Sequence, residues 1–180
     1  LSEKRGTNVN IVIPQKGIQA KLVEMCKSNA SQKLLDKYRV NDRSREALEE
    51  LSLLLGMSKI PEYIEAYDIS NTGDSEINAS LVVFIGGVPY KKGYKKYIMK
   101  EVTQRNDVGS MQEVLKRRFT AYKENREGFS ALPDLILVDG GAGQVAVAEE
   151  ILKTLDINVP VYGMVKDDKH RTRSLVGSFD

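Results

Sequence analysis

Two aspartates stand where this sequence most readily does chemistry. Asp68 closes the run Tyr63-Ile64-Glu65-Ala66-Tyr67-Asp68, and Asp139 closes Leu135-Ile136-Leu137-Val138-Asp139. Both runs have strand composition, and both pass at once into turn residues, Ile69-Ser70-Asn71-Thr72-Gly73 and Gly140-Gly141. If the two strands are neighbours, their carboxylates converge at one end of a sheet. Two such carboxylates suit a hard divalent cation, and with it metal-assisted cleavage of a phosphodiester. Spacing leaves a second reading open: an aspartate before a turn also caps backbone N–H groups.

Other residues bear on that choice. Asp107 precedes a helical pattern, so it is either a third acidic member of a metal cluster or a helix N-terminal residue. Lys91, Lys92, Lys95, Lys96 and Lys100 interleave with Tyr90, Tyr94 and Tyr97. These lysines are candidate DNA contacts and the tyrosines candidate base-stacking rings, or else the lysines protect an exposed strand edge. Gly140-Gly141-Ala142-Gly143-Gln144 offers a rival phosphate cradle at a helix start, though no Walker or dinucleotide pattern is present. His170 is the only histidine, in the charged stretch Lys166-Asp167-Asp168-Lys169-His170-Arg171-Thr172, which reads as a solvated turn. One histidine and one cysteine make a zinc site a poor fit.

The elements that must position these residues follow from periodicity. Val9 to Ile13 is a short β-type run ended by Pro14. A helix is expected from about Gln19 to Tyr38, with Leu22, Cys26, Ala30 and Leu34 on one stripe and Cys26 as buried filler. A second helix is expected from Arg43 to Leu55, capped by Asn41 or Asp42 and ended by Gly56 in the left-handed position. After Pro61 the pattern gives strands at Tyr63–Ile69, Ala79–Ile85 and Tyr94–Val102. A helix at Ser110–Tyr122 follows, with Met111, Val114, Leu115, Arg118 and Phe119 at helical spacing. Next come a strand at Leu135–Val138, a helix at Gln144–Leu155 and a strand at Val159–Val165. Glu124 to Ser130 reads as an exposed loop.

This β-β-β-α-β-α-β order implies an α/β fold: a mixed five-stranded sheet flanked by helices, with its first and fourth strands parallel neighbours. That is the ribonuclease H-like arrangement, and it sends Asp68 and Asp139 to the same sheet edge. Residues 1–60 then form an N-terminal strand and helical extension, and 61–180 the catalytic fold.

Composition sets the outer bounds. The 180 residues are 41% hydrophobic and 29% charged, ordinary values for a globular chain. A formal charge of +2 confines any basic footprint to a local patch. Cys26 alone cannot form an intrachain disulfide, which points to a reducing, cytoplasmic setting. No apolar run is long enough for a membrane span, and Leu1-Ser2-Glu3-Lys4-Arg5-Gly6 has no signal-peptide pattern. Lacking an initiator methionine, the chain is expected to be a piece of a longer protein.

Three stretches, Ile64-Glu65-Ala66-Tyr67-Asp68-Ile69-Ser70, Leu132 to Gly141 and Lys166 to Thr172, closely resemble the C-terminal half of the UvrC family. Met111-Gln112-Glu113-Val114-Leu115-Lys116-Arg117-Arg118-Phe119 and the N-terminal helical stretch extend the likeness along essentially the whole chain. The resemblance implies the ribonuclease H-like endonuclease domain that makes the 5′ incision in bacterial nucleotide excision repair. It implies Mg²⁺ or Mn²⁺ as cofactor, damaged double-stranded DNA as substrate, UvrB as the presenting partner and UvrA acting earlier. It places the family's metal-binding aspartates on Asp68, which would bridge the ions, and Asp139, with a further acidic position on Asp107. The family's catalytic histidine belongs to a later motif of the type Arg-Asp-Glu-x-His-Arg-Phe. His170 is not that residue, so the chain alone is expected to nick DNA weakly or not at all. Two other readings remain: an inactive scaffold binding UvrB or DNA, and a nucleotide-binding domain built on Gly140 to Gly143.

Overall fold

The computed structural model of the protein describes residues 6, 13–72, 76–99, 106–166 and 172–177, with the backbone alone at 34–41, 71–72, 76 and 172–173. The Val9–Ile13 run, Lys100, Val102 and His170 lie outside the described residues, apart from Ile13 itself. The chain divides into two units, Leu1–Arg43 and Ser44–Asp180.

One long helix, α1, spans Gly17–Leu54 where two shorter ones were expected. Arg39-Val40-Asn41-Asp42 holds neither glycine nor proline. Asn and Asp inside a helix cost only about 0.7 kcal/mol each or less, so no break is forced. The stop comes where expected: Gly56 has φ +62°, and Met57 N–H returns to Ser52 C=O at 2.9 Å. In the first unit the described residues are Gly6, a short lead at 13–16 and α1 as far as Arg43, with no second element among them to cover the stripe. Leu22 and Met25 are more than half exposed and Cys26 is exposed, so Cys26 is not buried filler.

The second unit is built on one mixed sheet. Its strands are β1 (Tyr63–Thr72), β2 (Glu76–Ile85), β3 (Val88–Pro89), β4 (Lys95–Ile98), β5 (Leu135–Asp139), β6 (Val161–Lys166) and β7 (Thr172–Gly177). Two further helices are α2 (Asp107–Lys123) and α3 (Ala142–Thr154). The order across the sheet is β3-β2-β1-β5-β6-β7, with β4 beside β3 on the outer edge of β2. β1 pairs antiparallel with β2 and parallel with β5, and β5 pairs parallel with β6. The expected fold class and the expected adjacency of the first and fourth strands both hold. Two strands extend the sheet beyond five: β3, and β7, which returns antiparallel on β6.

β3 follows from Gly86-Gly87. Both have positive φ, +59° and +72°, the requirement of a two-residue hairpin turn. The turn closes β2 onto β3 through the pairs Ile85↔Val88 and Phe84↔Pro89. A Cβ at Gly87 would also fall 2.8 Å from the Ser44 carbonyl oxygen. Gly87→Ala is therefore expected to destabilise the domain by about 1–3 kcal/mol, read from urea unfolding. An unchanged midpoint would show that the turn tolerates a side chain.

Strand alternation sorts the core into two layers. Tyr67, Leu81, Val83, Ile136, Val138 and Val161 face α2 and α3, meeting Met111, Val114, Leu115, Phe119, Val145, Ala148 and Leu152. The residues of opposite parity, Ile64, Leu135 and Tyr162, pack against Leu48 and Leu55 at the end of α1. That second layer covers the first residues of β1, β5 and β6. The later residues of the same parity are Asp68, Asp139 and Lys166.

Candidate active site

The register of β1 on β5 runs Ile64↔Leu135 to Tyr67↔Val138, so the next residues, Asp68 and Asp139, end up side by side. Both have the parity of Ile64 and Leu135, so both carboxylates rise from the same face. A hydrogen bond between them raises the Asp68 carboxyl above its ordinary value; partial burial and the charge of Asp139 push the same way, and Lys166 pulls against them. Two carboxylates set this close repel each other when both are ionised, an arrangement a divalent cation relieves.

β6 supplies a counter-charge. Asp139 stands opposite Met164, and Lys166, two residues on, has the same parity. Its ammonium donates a hydrogen bond to Asp139 Oδ2. That bond, opposed by slight desolvation and helped by the charges of Asp139 and Asp68, raises the Lys166 ammonium above the usual lysine value. The sequence shows Lys166 only as part of a charged stretch. Counting strand parity from Tyr162 is the signal that would have found it.

On the other side of β1 the register gives Asp68↔Ser80 on β2, and β2 on β4 gives Ser80↔Lys96. Lys96, Ser80 and Asp68 thus form one row across three strands, on one face. Two strand spacings put the Lys96 and Asp68 backbones about 10 Å apart, within reach of a shared nucleic-acid backbone. Lys95 has the opposite parity, and its Nζ lies 4.5 Å from the centre of the Phe129 ring. Lys91 and Lys92 are exposed on a single 3₁₀ turn before β4. The tyrosines divide too. Tyr90 and Tyr94 are about 40% exposed (43% and 39%), but Tyr97 is buried in the core beneath Arg117, so it is not a surface for base stacking. Burial pushes its phenol up to about 12.

Asp107 is exposed in the first turn of α2, where Asn106 caps the helix by accepting from Gly109 N–H at 3.0 Å. Among the described residues no three His, Cys, Asp or Glu side chains form a metal-sized group, so Asp107 is not gathered with the pair. The glycine turn has an internal use. A Cβ at Gly140 would strike Gln144 at 2.4 Å, and one at Gly163 would strike the Gly140 carbonyl oxygen at 2.3 Å, so these glycines let the turn close onto β6.

A buried ion pair of the second unit is not announced by any local sequence pattern. On the face of β1 opposite Asp68, Glu65 is fully buried and Arg118 is 2% exposed. Arg118 Nη2 and Nε donate to Glu65 Oε1 at 2.6 and 3.0 Å, and Tyr63 and Tyr67 hydroxyls donate to its two oxygens at 2.6 and 2.5 Å. Burial pushes the guanidinium down, yet the charge of Glu65, its hydrogen bond and the charges of Tyr67 and Tyr63 together outweigh it, and the net shift is upward. Only two distant stretches taken together point to it: Arg118 falls on the apolar stripe of α2, and Glu65 alternates with two tyrosines on an inward strand face.

A family model described as the UvrC RNAse H endonuclease domain matches residues 52–178. The chain belongs to that family. A second model, the UvrC ribonuclease H-like domain, matches residues 1–37. The UvrABC system protein C of Acetivibrio thermocellus is 46% identical over 195 residues, covering 98% of this chain and 31% of the relative. That of Ruminiclostridium cellulolyticum is 48% identical over 188 residues, with 98% and 30% covered. The chain therefore spans about a third of the length of these curated relatives. Among solved structures, Ciona intestinalis endonuclease V in complex with an inosine-containing DNA aligns at TM-score 0.43 and 10% identity, over 77% of this chain and 60% of that one. The family is described as an endonuclease domain, which gives endonucleolytic cleavage as its reaction class. No helix among the described residues is long and apolar enough to cross a membrane.

Proposed function

We propose that this domain makes the incision 5′ of a lesion in nucleotide excision repair, using Mg²⁺ or Mn²⁺ held by Asp68 and Asp139. The observation that carries the reading is the parallel register of β1 on β5, which sets two carboxylates together on one face of the sheet. The donor set fits the ion: both ligands are carboxylate oxygens, which suit a hard divalent cation. When bound, a divalent ion supplies an activated water and Lewis acidity at the phosphate.

The chain's own groups bind and orient. Asp68, with Ser80 on one side of it in the sheet and Asp139 on the other, would be the ligand shared between the ions, and Asp139 would be the second ligand. Lys96 lies in the same row and takes a backbone phosphate of the bound strand, with Lys91 and Lys92 extending the contact along the edge. Lys95 contributes to the positive field from the other face. Asp107 serves as a further acidic position at the start of α2. Damaged duplex is presented by UvrB, with UvrA acting earlier, in the cytoplasm. Recognition is of backbone and duplex form, since none of these contacts reads a base edge.

Calorimetric titration with Mn²⁺ tests the site directly. The wild-type chain is expected to bind the ion, and Asp139→Asn to weaken binding by roughly 100-fold or more through loss of a charged ligand. Equal affinity in the two proteins would move the metal elsewhere.

A further inference from the structure

The contact between Lys166 and Asp139 bears on how the site fills. Lys166 ends β6 two residues beyond Met164, the partner of Asp139, and its ammonium donates to Asp139 Oδ2. Its side chain is 40% exposed and that of Asp139 21%. The ammonium also feels the charge of Asp68. One cation thus serves two carboxylates that would otherwise repel each other. It occupies an oxygen that the proposed metal site requires, and it is held by one flexible side chain with solvent on one side.

We infer that Lys166 is a displaceable internal counter-ion, which competes with the divalent cation for Asp139 and, once released, neutralises a phosphate oxygen of the bound strand. This rests on the metal reading of Asp68 and Asp139. The charge balance supports it. Two carboxylates and one ammonium leave a single negative charge for an incoming divalent ion to meet. Releasing the ammonium exposes both negative charges to the ion. The freed lysine then lies at the sheet edge where a phosphodiester must approach the two aspartates. A long, exposed side chain with an unbranched stem makes that swing without moving backbone.

The test compares Lys166→Met and Lys166→Arg with wild type, with Mn²⁺ as the probe. Lys166→Met is expected to bind Mn²⁺ roughly 5- to 30-fold more tightly, the effect of removing one nearby charge from a partly exposed site. Lys166→Arg keeps the charge and is expected within about 3-fold of wild type. In the presence of Mn²⁺, Lys166→Met is also expected to bind a short duplex more weakly than wild type, although it holds the ion more tightly. A lysine that only braces the fold would not move two affinities in opposite directions. Mn²⁺ affinity unchanged or reduced in Lys166→Met overturns the inference, as does unchanged duplex affinity. Asp139→Asn is the control: if it binds Mn²⁺ as wild type does, the metal reading itself has failed. Should Lys166→Met not fold, Lys166→Gln carries the same expectations.

Discussion

In the full-length protein that carries this domain, with UvrB and a lesion-bearing duplex, Asp68→Asn is expected to lower 5′ incision by roughly 10³-fold or more. Any incision made 3′ of the lesion by a separate nuclease of the same assembly should be retained. The substitution keeps the size of the side chain and one acceptor oxygen. It removes the charge and can turn an NH₂ group toward a cation. Folding should not suffer. The Asp68 carboxyl lies above its ordinary value, first through the hydrogen bond with Asp139 and then through burial and repulsion. A carboxyl raised in this way is protonated more readily folded than unfolded. Its contribution to stability is therefore gained as pH falls through the folded value, and at neutral pH the ionised group is a net cost. A neutral asparagine relieves that cost, so the unfolding midpoint at neutral pH should stay level or rise. Incision within about 10-fold of wild type would remove Asp68 from the chemistry. Loss of both incisions would point instead to assembly with the partner.

How far the sequence carried this is clearest at strand parity. Asp68 and Asp139 each end a run whose alternation is visible in the chain, so their convergence needed only the strand order. Lys96 and Lys95 are adjacent in the sequence and form one basic patch there, yet the pleat sends them to opposite faces. Only the register of β4 on β2 shows which of the two shares a face with Asp68. β7 was missed because Thr172-Arg173-Ser174-Leu175-Val176-Gly177 has too little apolar content to announce a strand alone. Pairing with β6 supplies what its composition lacks. The merger of two expected helices into α1 has a similar cause: a capping residue signals a start only where some residue also signals a stop. Asp107 illustrates the limit from the other side. An acid before a helix reads equally as ligand or helix-end charge, and no local pattern separates the two.

Arg118→Met is expected to cost the domain about 3–5 kcal/mol, because it leaves Glu65 buried without its counter-charge. Glu65 is 0% exposed, and both its oxygens already accept from tyrosine hydroxyls, so no water can replace the guanidinium cheaply. Against a typical stability of about 5–15 kcal/mol, the loss should show as a large fall in the urea midpoint. Removing both charges is a different experiment. Glu65→Gln combined with Arg118→Met leaves no buried ion, so the pair should be less destabilised than the sum of the single variants, by about 2 kcal/mol or more. A cost below about 1 kcal/mol for Arg118→Met, or simple additivity, would mean that the ion pair is not what anchors α2 to the sheet. The consequence reaches the other face. Glu65 and Asp68 are three residues apart on β1 and point to opposite sides of it. Arg118 ties Glu65 to α2 and, through Nη2, to the Ala131 carbonyl at 2.8 Å, just before β5. The same guanidinium therefore holds β1 and the entry to β5, the two strands whose register sets Asp68 beside Asp139. At temperatures where Arg118→Met is still folded, its Mn²⁺ affinity should already have fallen, whereas Lys116→Met, exposed on the same helix, should leave both stability and affinity unchanged.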